Sequence, residues 1–195
     1  GWDTTSYDKL TLDIAKQYNL KVIMPFYLAI DLDYTDAQVR QEITGKVLQW
    51  VNWYKEHPAL LMWAVGNEVF HGMNFAKGFP NRAEQKMAFA SFLVELAEAI
   101  HQLDSNHPVL YRDAIGPADA TGLYFNELRS VLQKKIQQDA DERLWFVLGL
   151  TIYDTSITGR QFGEMIRSWV DHGWNRPALI AEFGVIGLSM SDRPR

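Results

Sequence analysis

Apolar positions along this chain keep changing their period. From Thr5 to Tyr18 they fall at helical spacing, with Tyr7, Leu10, Ile14 and Tyr18 on one predicted face. Lys21 to Leu28 is then a short, nearly continuous apolar run, the pattern of a buried strand. Pro25 lacks a ladder donor and marks that strand's expected end. A second helix is predicted from Thr35, where Thr35-x-x-Gln38 resembles a capping box. Its stripe is Val39, Ile43, Val47, Val51 and Tyr54, and it stops at His57-Pro58.

The alternation continues. Leu60 to Val65 is predicted as a strand, and Asn81-x-x-Glu84 opens a helix to about Leu103 with Phe89, Leu93, Leu96, Ile100 and Leu103 inward. Val109 to Tyr111 is a short strand. Leu123 to Gln138 is a helix with Leu128, Val131, Leu132 and Ile136 inward. Trp145 to Tyr153 is a strand. Gln161 to His172 is a helix with Phe162, Ile166, Trp169 and Val170 inward, closed by Gly173. Ala178 to Ala181 is the last strand. Strands that are apolar on both faces and alternate with helices demand a mainly parallel α/β sheet with helical crossovers. A doubly wound open sheet and a closed barrel both satisfy that order, and both put chemistry at the C-terminal ends of strands.

Composition narrows the picture. The 195 residues suit one domain, residues 1–195, and 47% apolar with 22% charged residues is ordinary for a folded protein. A net charge of −5 with no basic stripe argues against a nucleic-acid partner. The absence of cysteine excludes disulfides and thiolate chemistry but leaves the compartment open. No apolar run has the length of a membrane span, and the N-terminus carries no signal peptide, so a secreted or cell-envelope parent stays open. Aromatic residues make up 13%, with seven Trp; core packing is the default reading for any one of them, and sugar stacking the alternative.

Two strands end in a carboxylate. Leu60 to Val65 leads into Gly66-Asn67-Glu68, and Ala178 to Ala181 leads into Glu182-Phe183-Gly184. In a closed barrel these ends share one mouth, so residues far apart in sequence meet. Glycoside hydrolysis needs such a pair, one carboxyl giving a proton to the leaving oxygen while the other attacks the anomeric carbon or activates water. Glycine at 66 and 184 is expected to let backbone and sugar approach. Either Glu alone is more often a solvated loop residue; their joint placement is what points to chemistry. Rival signals are weak. Glu68-x-x-His71 has no second copy to make a di-metal site, and no H-E-x-x-H, G-x-S-x-G, G-x-G-x-x-G or phosphate loop is present. No metal and no cofactor is expected.

Three of these segments carry a resemblance. Trp63-Ala-Val-Gly-Asn-Glu68 resembles the fourth-strand motif of clan A glycoside hydrolases, Gly149-Leu-Thr-Ile-Tyr153 the sixth strand, and Ile180-Ala-Glu-Phe-Gly184 the seventh. The resemblance spans nearly the whole chain and implies a (β/α)8 TIM barrel, here partial, with strands three to seven present. It implies a retaining glycosidase, with Glu68 as acid/base and Glu182 as nucleophile of a double displacement on β-linked glycans. It also implies that Asn67 binds the sugar 2-hydroxyl and that Tyr153 holds Glu182 ionised. A transglycosylase uses the same residues, and a non-catalytic carbohydrate-binding domain is the other class. Tyr27, His71, Asp113 and its neighbour Arg112 are further expected mouth residues, and Trp63 reads as barrel packing. Strands one, two and eight have no candidate, nor do the Arg and the aromatic residue that the clan places on strands two and eight. Gly1 and Arg195 read as arbitrary cuts, so a fragment of a longer polypeptide is expected, ahead of an oligomer that completes the barrel.

Overall fold

A computed structural model describes residues 7–75, 82–115, 126–154, 160–171 and 176–185. The order is α1 (Tyr7–Gln17), β1 (Val22–Phe26), α2 (Ala37–Tyr54), β2 (Leu60–Asn67), α3 (Val69–Phe75), α4 (Arg82–Leu103), β3 (Val109–Ile115), α5 (Asn126–Asp139), β4 (Phe146–Asp154), α6 (Arg160–Asp171) and β5 (Ala178–Val185). The five strands form one sheet in the sequential order β1-β2-β3-β4-β5, every pair parallel. A doubly wound sheet reverses its strand order at a switch point. No reversal occurs among the described residues, so this is an arc of the barrel kind, as expected from the sequence.

Strand alternation then sorts the side chains. Trp63, Val65, Val109, Tyr111, Phe146, Leu148, Leu150 and Ile152 belong to one large core shared with the helices. Ala64, Leu110 and Val147 form a separate small cluster with Ile23, Met62 and Leu179 on the opposite, concave face. Trp63 therefore packs on the helix side, 5.2 Å from the Trp50 ring, with its indole N–H donating to Asp104 at 2.8 Å. It does not fill the barrel interior. Helix α4 is the hub. It packs against both α2 and α5, so Phe89, Phe92, Leu93, Leu96 and Ile100 are all buried around much of its circumference.

Several local expectations shift. Helix α1 buries Leu12 and Ala15, while Leu10, Ile14 and Tyr18 face outward, so the stripe read from the sequence is the uncovered one. Helix α2 is capped by Asp36, one residue later than expected; its carboxylate accepts from Gln38 N at 2.8 Å, while the Thr35 hydroxyl donates to Asp33. Pro25 lies inside β1, an edge strand, where a missing donor costs little. Helix α6 turns Met165 and Trp169 inward and Val170 out. Strands β2, β3 and β5 run further than predicted, and α3 is an addition. The expected cap at Asn81, the predicted helix starts at Thr5 and Leu123, and the His172-Gly173 stop lie outside the described residues.

Candidate active site

A cavity of about 600 Å³ lies along the concave face of the sheet, over Ile23, Ala64, Leu110 and Leu179, and neither Glu68 nor Glu182 lines it. Its wall includes Pro25 and Tyr27 from the β1 side, Gly66 and Asn67 from β2, Arg112 from β3, and Ile180 and Ala181 from β5. Tyr27 thus lies where the sequence puts it, on the wall just past β1 and largely exposed. Asn67 is half-buried there, and its side-chain oxygen is buried with no hydrogen-bond partner among the described residues. A buried acceptor without a donor is costly unless something else supplies one.

Glu68 follows β2 directly. Its φ is +54°, in the left-handed region that side chains rarely adopt, and Gly66 two residues earlier has φ +77°. The Glu68 N–H donates to the Arg112 carbonyl at 3.0 Å, and its own carbonyl accepts from Gly72 N at 2.8 Å. Glu68 is therefore the residue from which α3 starts. A residue there commonly caps its helix with its own side chain. Here a different strand does so. Asp113 on β3 accepts from Phe70 N at 2.9 Å, from His71 N at 3.2 Å and from Ala114 N at 2.8 Å. The Tyr111 hydroxyl donates to the same carboxylate and accepts from Phe70 N at 3.3 Å.

This places Asp113 beneath the mouth rather than on it. Its residue is 0% exposed, so it does not meet a substrate as expected from the sequence. Burial pushes its carboxyl up to about 7, against the lowering effect of the Tyr111 and backbone donors. The Tyr111 phenol is likewise raised, by burial and then by the Asp113 charge. His71 sits on α3 with its ring 5.0 Å from Phe75 and, like Glu68, Tyr153 and Glu182, is not on the cavity wall.

Glu182 is held on the other side. It lies opposite Thr151 in the β4–β5 register, and the Tyr153 hydroxyl donates to its carboxylate. Gly184 makes that possible, because a Cβ there would sit 2.9 Å from the Tyr153 ring. The space left by Gly184 is thus filled by tyrosine, and that left by Gly66 is lined by Tyr111 and Leu28, where sugar was expected. The Arg112 guanidinium is 4.0 Å from Glu182, with both groups about a third exposed, so water screens the attraction. The Tyr153 phenol is raised first by its hydrogen bond to Glu182, then by burial and by the charges of Glu182 and Glu68, with Arg112 opposing. One hydroxyl thus lies within the field of both carboxylates.

The capping role of Asp113 is what the sequence reading missed, while Arg112, named there with Asp113, lies on the cavity wall. The signal was present as alternation. Had β3 been continued past Tyr111, Arg112 would fall on the concave face with Leu110, and Asp113 on the helix face with Tyr111. No cluster of three or more His, Asp or Glu suited to a metal occurs among the described residues. No described helix is long and apolar enough to cross a membrane.

Solved structures with the same arc are glycosidases. The chain aligns over 93% of its length with a β-D-glucuronidase from Dictyoglomus thermophilum, at TM-score 0.58 and 17% identity, covering 29% of that protein. It aligns over 95% with a GH10 xylanase containing a bacterial Ig-like domain from termite gut, at TM-score 0.67 and 16% identity, covering 44% of it. It aligns over 91% with a GH2 β-galacturonidase from Eisenbergiella tayi bound to galacturonate, at TM-score 0.58 and 16% identity, covering 27% of it. The chain thus spans less than half of each. At such identities the likeness is one of fold, and no curated protein sequence matches. The family model for "Glycosyl hydrolases family 2, TIM barrel domain" matches residues 15–188, nearly the whole arc and both carboxylate-bearing strands, so the chain belongs to that glycoside hydrolase family.

Proposed function

We propose that this chain carries the catalytic centre of a retaining glycosidase that acts on β-linked glycans, with Glu182 as nucleophile and Glu68 as acid/base. The observation that carries the reading is one parallel sheet with Asn67 and Glu68 at the end of β2 and, on β5, Glu182 bound by the Tyr153 hydroxyl. Membership of a glycoside hydrolase family supports it, as do the glucuronidase, xylanase and galacturonidase activities named for proteins of the same fold.

In the first step the Glu182 carboxylate attacks the anomeric carbon as Glu68 passes its proton to the departing oxygen. In the second, Glu68 takes a proton from water, the water oxygen replaces Glu182 at the same carbon, and the configuration is retained. Tyr153 orients Glu182, and the Arg112 guanidinium stands 4.0 Å from it. Asn67, half-buried on the cavity wall, meets a sugar hydroxyl. A sugar acceptor in place of water turns the same residues to transglycosylation.

The test is Glu182→Ala in the full-length protein, assayed on a panel of aryl β-glucuronides, β-galactosides and β-xylosides. Turnover is expected to fall by at least about a thousandfold, and sodium azide to restore it, with a glycosyl azide of inverted configuration as product. Undiminished turnover in Glu182→Ala would remove the assignment, and azide product of retained configuration would assign Glu182 the acid/base role instead.

A further inference from the structure

We infer that Asp113, with Tyr111, is a positioning pair for Glu68, supplying from strand β3 the helix cap that Glu68 would otherwise have to make with its own carboxyl. This rests on the reading of Glu68 as acid/base and adds to it the residues that act through it.

The residue before a helix is under pressure to turn its side chain back. The first N–H groups of the helix have no partner within it, and an acidic side chain at the cap position satisfies them. A glutamate so engaged gives up acceptor capacity that proton transfer needs. In this protein the N–H groups of Phe70 and His71 already end on Asp113, and Phe70 N also meets Tyr111. Glu68 has no capping work left to do.

The same strand fixes the backbone of Glu68. Its N–H ends on the Arg112 carbonyl, the residue between the two positioning side chains. Its left-handed φ is a conformation that local energetics disfavour, so something outside the turn has to hold it. The holding side is rigid. The Tyr111 ring is fully buried, 5.8 Å from both Phe70 and Phe89 and edge-on to them, and it lies against Gly66. The Tyr111 hydroxyl also keeps the Asp113 carboxylate aimed at α3. Because Asp113 is fully buried on the helix face, it acts on the reaction only through Glu68.

The experiment uses the full-length protein and compares 2,4-dinitrophenyl with phenyl β-glycosides of the sugar that the wild type hydrolyses. A dinitrophenolate leaves without help, whereas phenolate needs the proton. Asp113→Ala and Tyr111→Phe are expected to slow glycosylation from the phenyl glycoside at least tenfold more than from the dinitrophenyl glycoside. Asp113→Asn, which keeps one acceptor oxygen, is expected to recover part of the difference. Equal losses on both substrates would mean a merely structural role and would overturn the inference. If Asp113→Ala does not fold, Tyr111→Phe and Asp113→Asn decide by the same ratio. Glu68→Ala runs beside them: if it shows no leaving-group dependence, the acid/base reading itself fails, whereas dependence in Glu68→Ala alone sinks only the positioning pair.

Discussion

Glu68 follows β2 and Glu182 lies in the second half of β5, and their surroundings differ. Around Glu68 the grip is backbone and buried: a main-chain bond to β3, a short helix, and a cap from a carboxylate that water does not reach. Around Glu182 the backbone is held in the β4–β5 ladder but the side chain is open: one phenol, one guanidinium at 4.0 Å, and a neighbour, Phe183, that is 74% exposed. Backbone bonds in a dry setting hold a group against motion, while exposed side-chain contacts are screened and pay rotamer entropy. On the proposed reading Glu182 is the nucleophile of a double displacement, and an open side chain suits a group that bonds to carbon and then leaves it. The proton carrier works at a fixed hydrogen-bond distance, so tight restraint suits it.

The contrast predicts where damage goes. The largest effect is expected from Phe70→Ala, since Phe70 is 0% exposed between Phe89 and Tyr111. A loss of about 3–5 kcal/mol in denaturant unfolding is expected; a loss under 1 kcal/mol would break the claim that the Glu68 side is built on packing. Next comes pH. The Asp113 carboxyl titrates near about 7 when folded and near 3.8 when exposed. Below about pH 4 both states hold the proton and its contribution to stability is whole. Between about pH 4 and 7 the unfolded chain releases its proton first, so stability falls, and above 7 the loss is complete. At about 1.4 kcal/mol per unit the fall amounts to a few kcal/mol. Unfolding curves of Asp113→Asn against wild type across that range are expected to show a flatter slope in the variant. The smallest effect on stability is expected from Tyr153→Phe, with an unchanged melting temperature and a roughly tenfold to hundredfold loss in kcat/KM. A large fall in melting temperature there would erase the distinction between the two sides.

Much of this was readable from the chain, and the exceptions share a cause. The helix–strand alternation survives because each element's period is local. The two carboxylates stood out because each closes an apolar run. What could not be read depended on other elements. Leu10 and Ile14 match Leu12 and Ala15 in apolar character, and only the position of the sheet decides which pair of α1 is covered. Arg112-Asp113 looks like the end of a strand, because charged pairs seldom sit inside one. Asp113 is tolerated there because N–H groups from α3, with the Tyr111 hydroxyl and Ala114 N–H, meet it, and α3, only seven residues long, has almost no periodic signal of its own. The doubly wound alternative fell to strand order alone, which is a property of the assembled sheet.

Residues 111–113 have a mechanical consequence. Through Asp113 and the Arg112 carbonyl they grip one carboxylate's turn, and through the Arg112 guanidinium they reach the other carboxylate directly. A displacement of β3 would therefore reach the turn of Glu68 through buried hydrogen bonds, and Glu182 only through a screened ion pair.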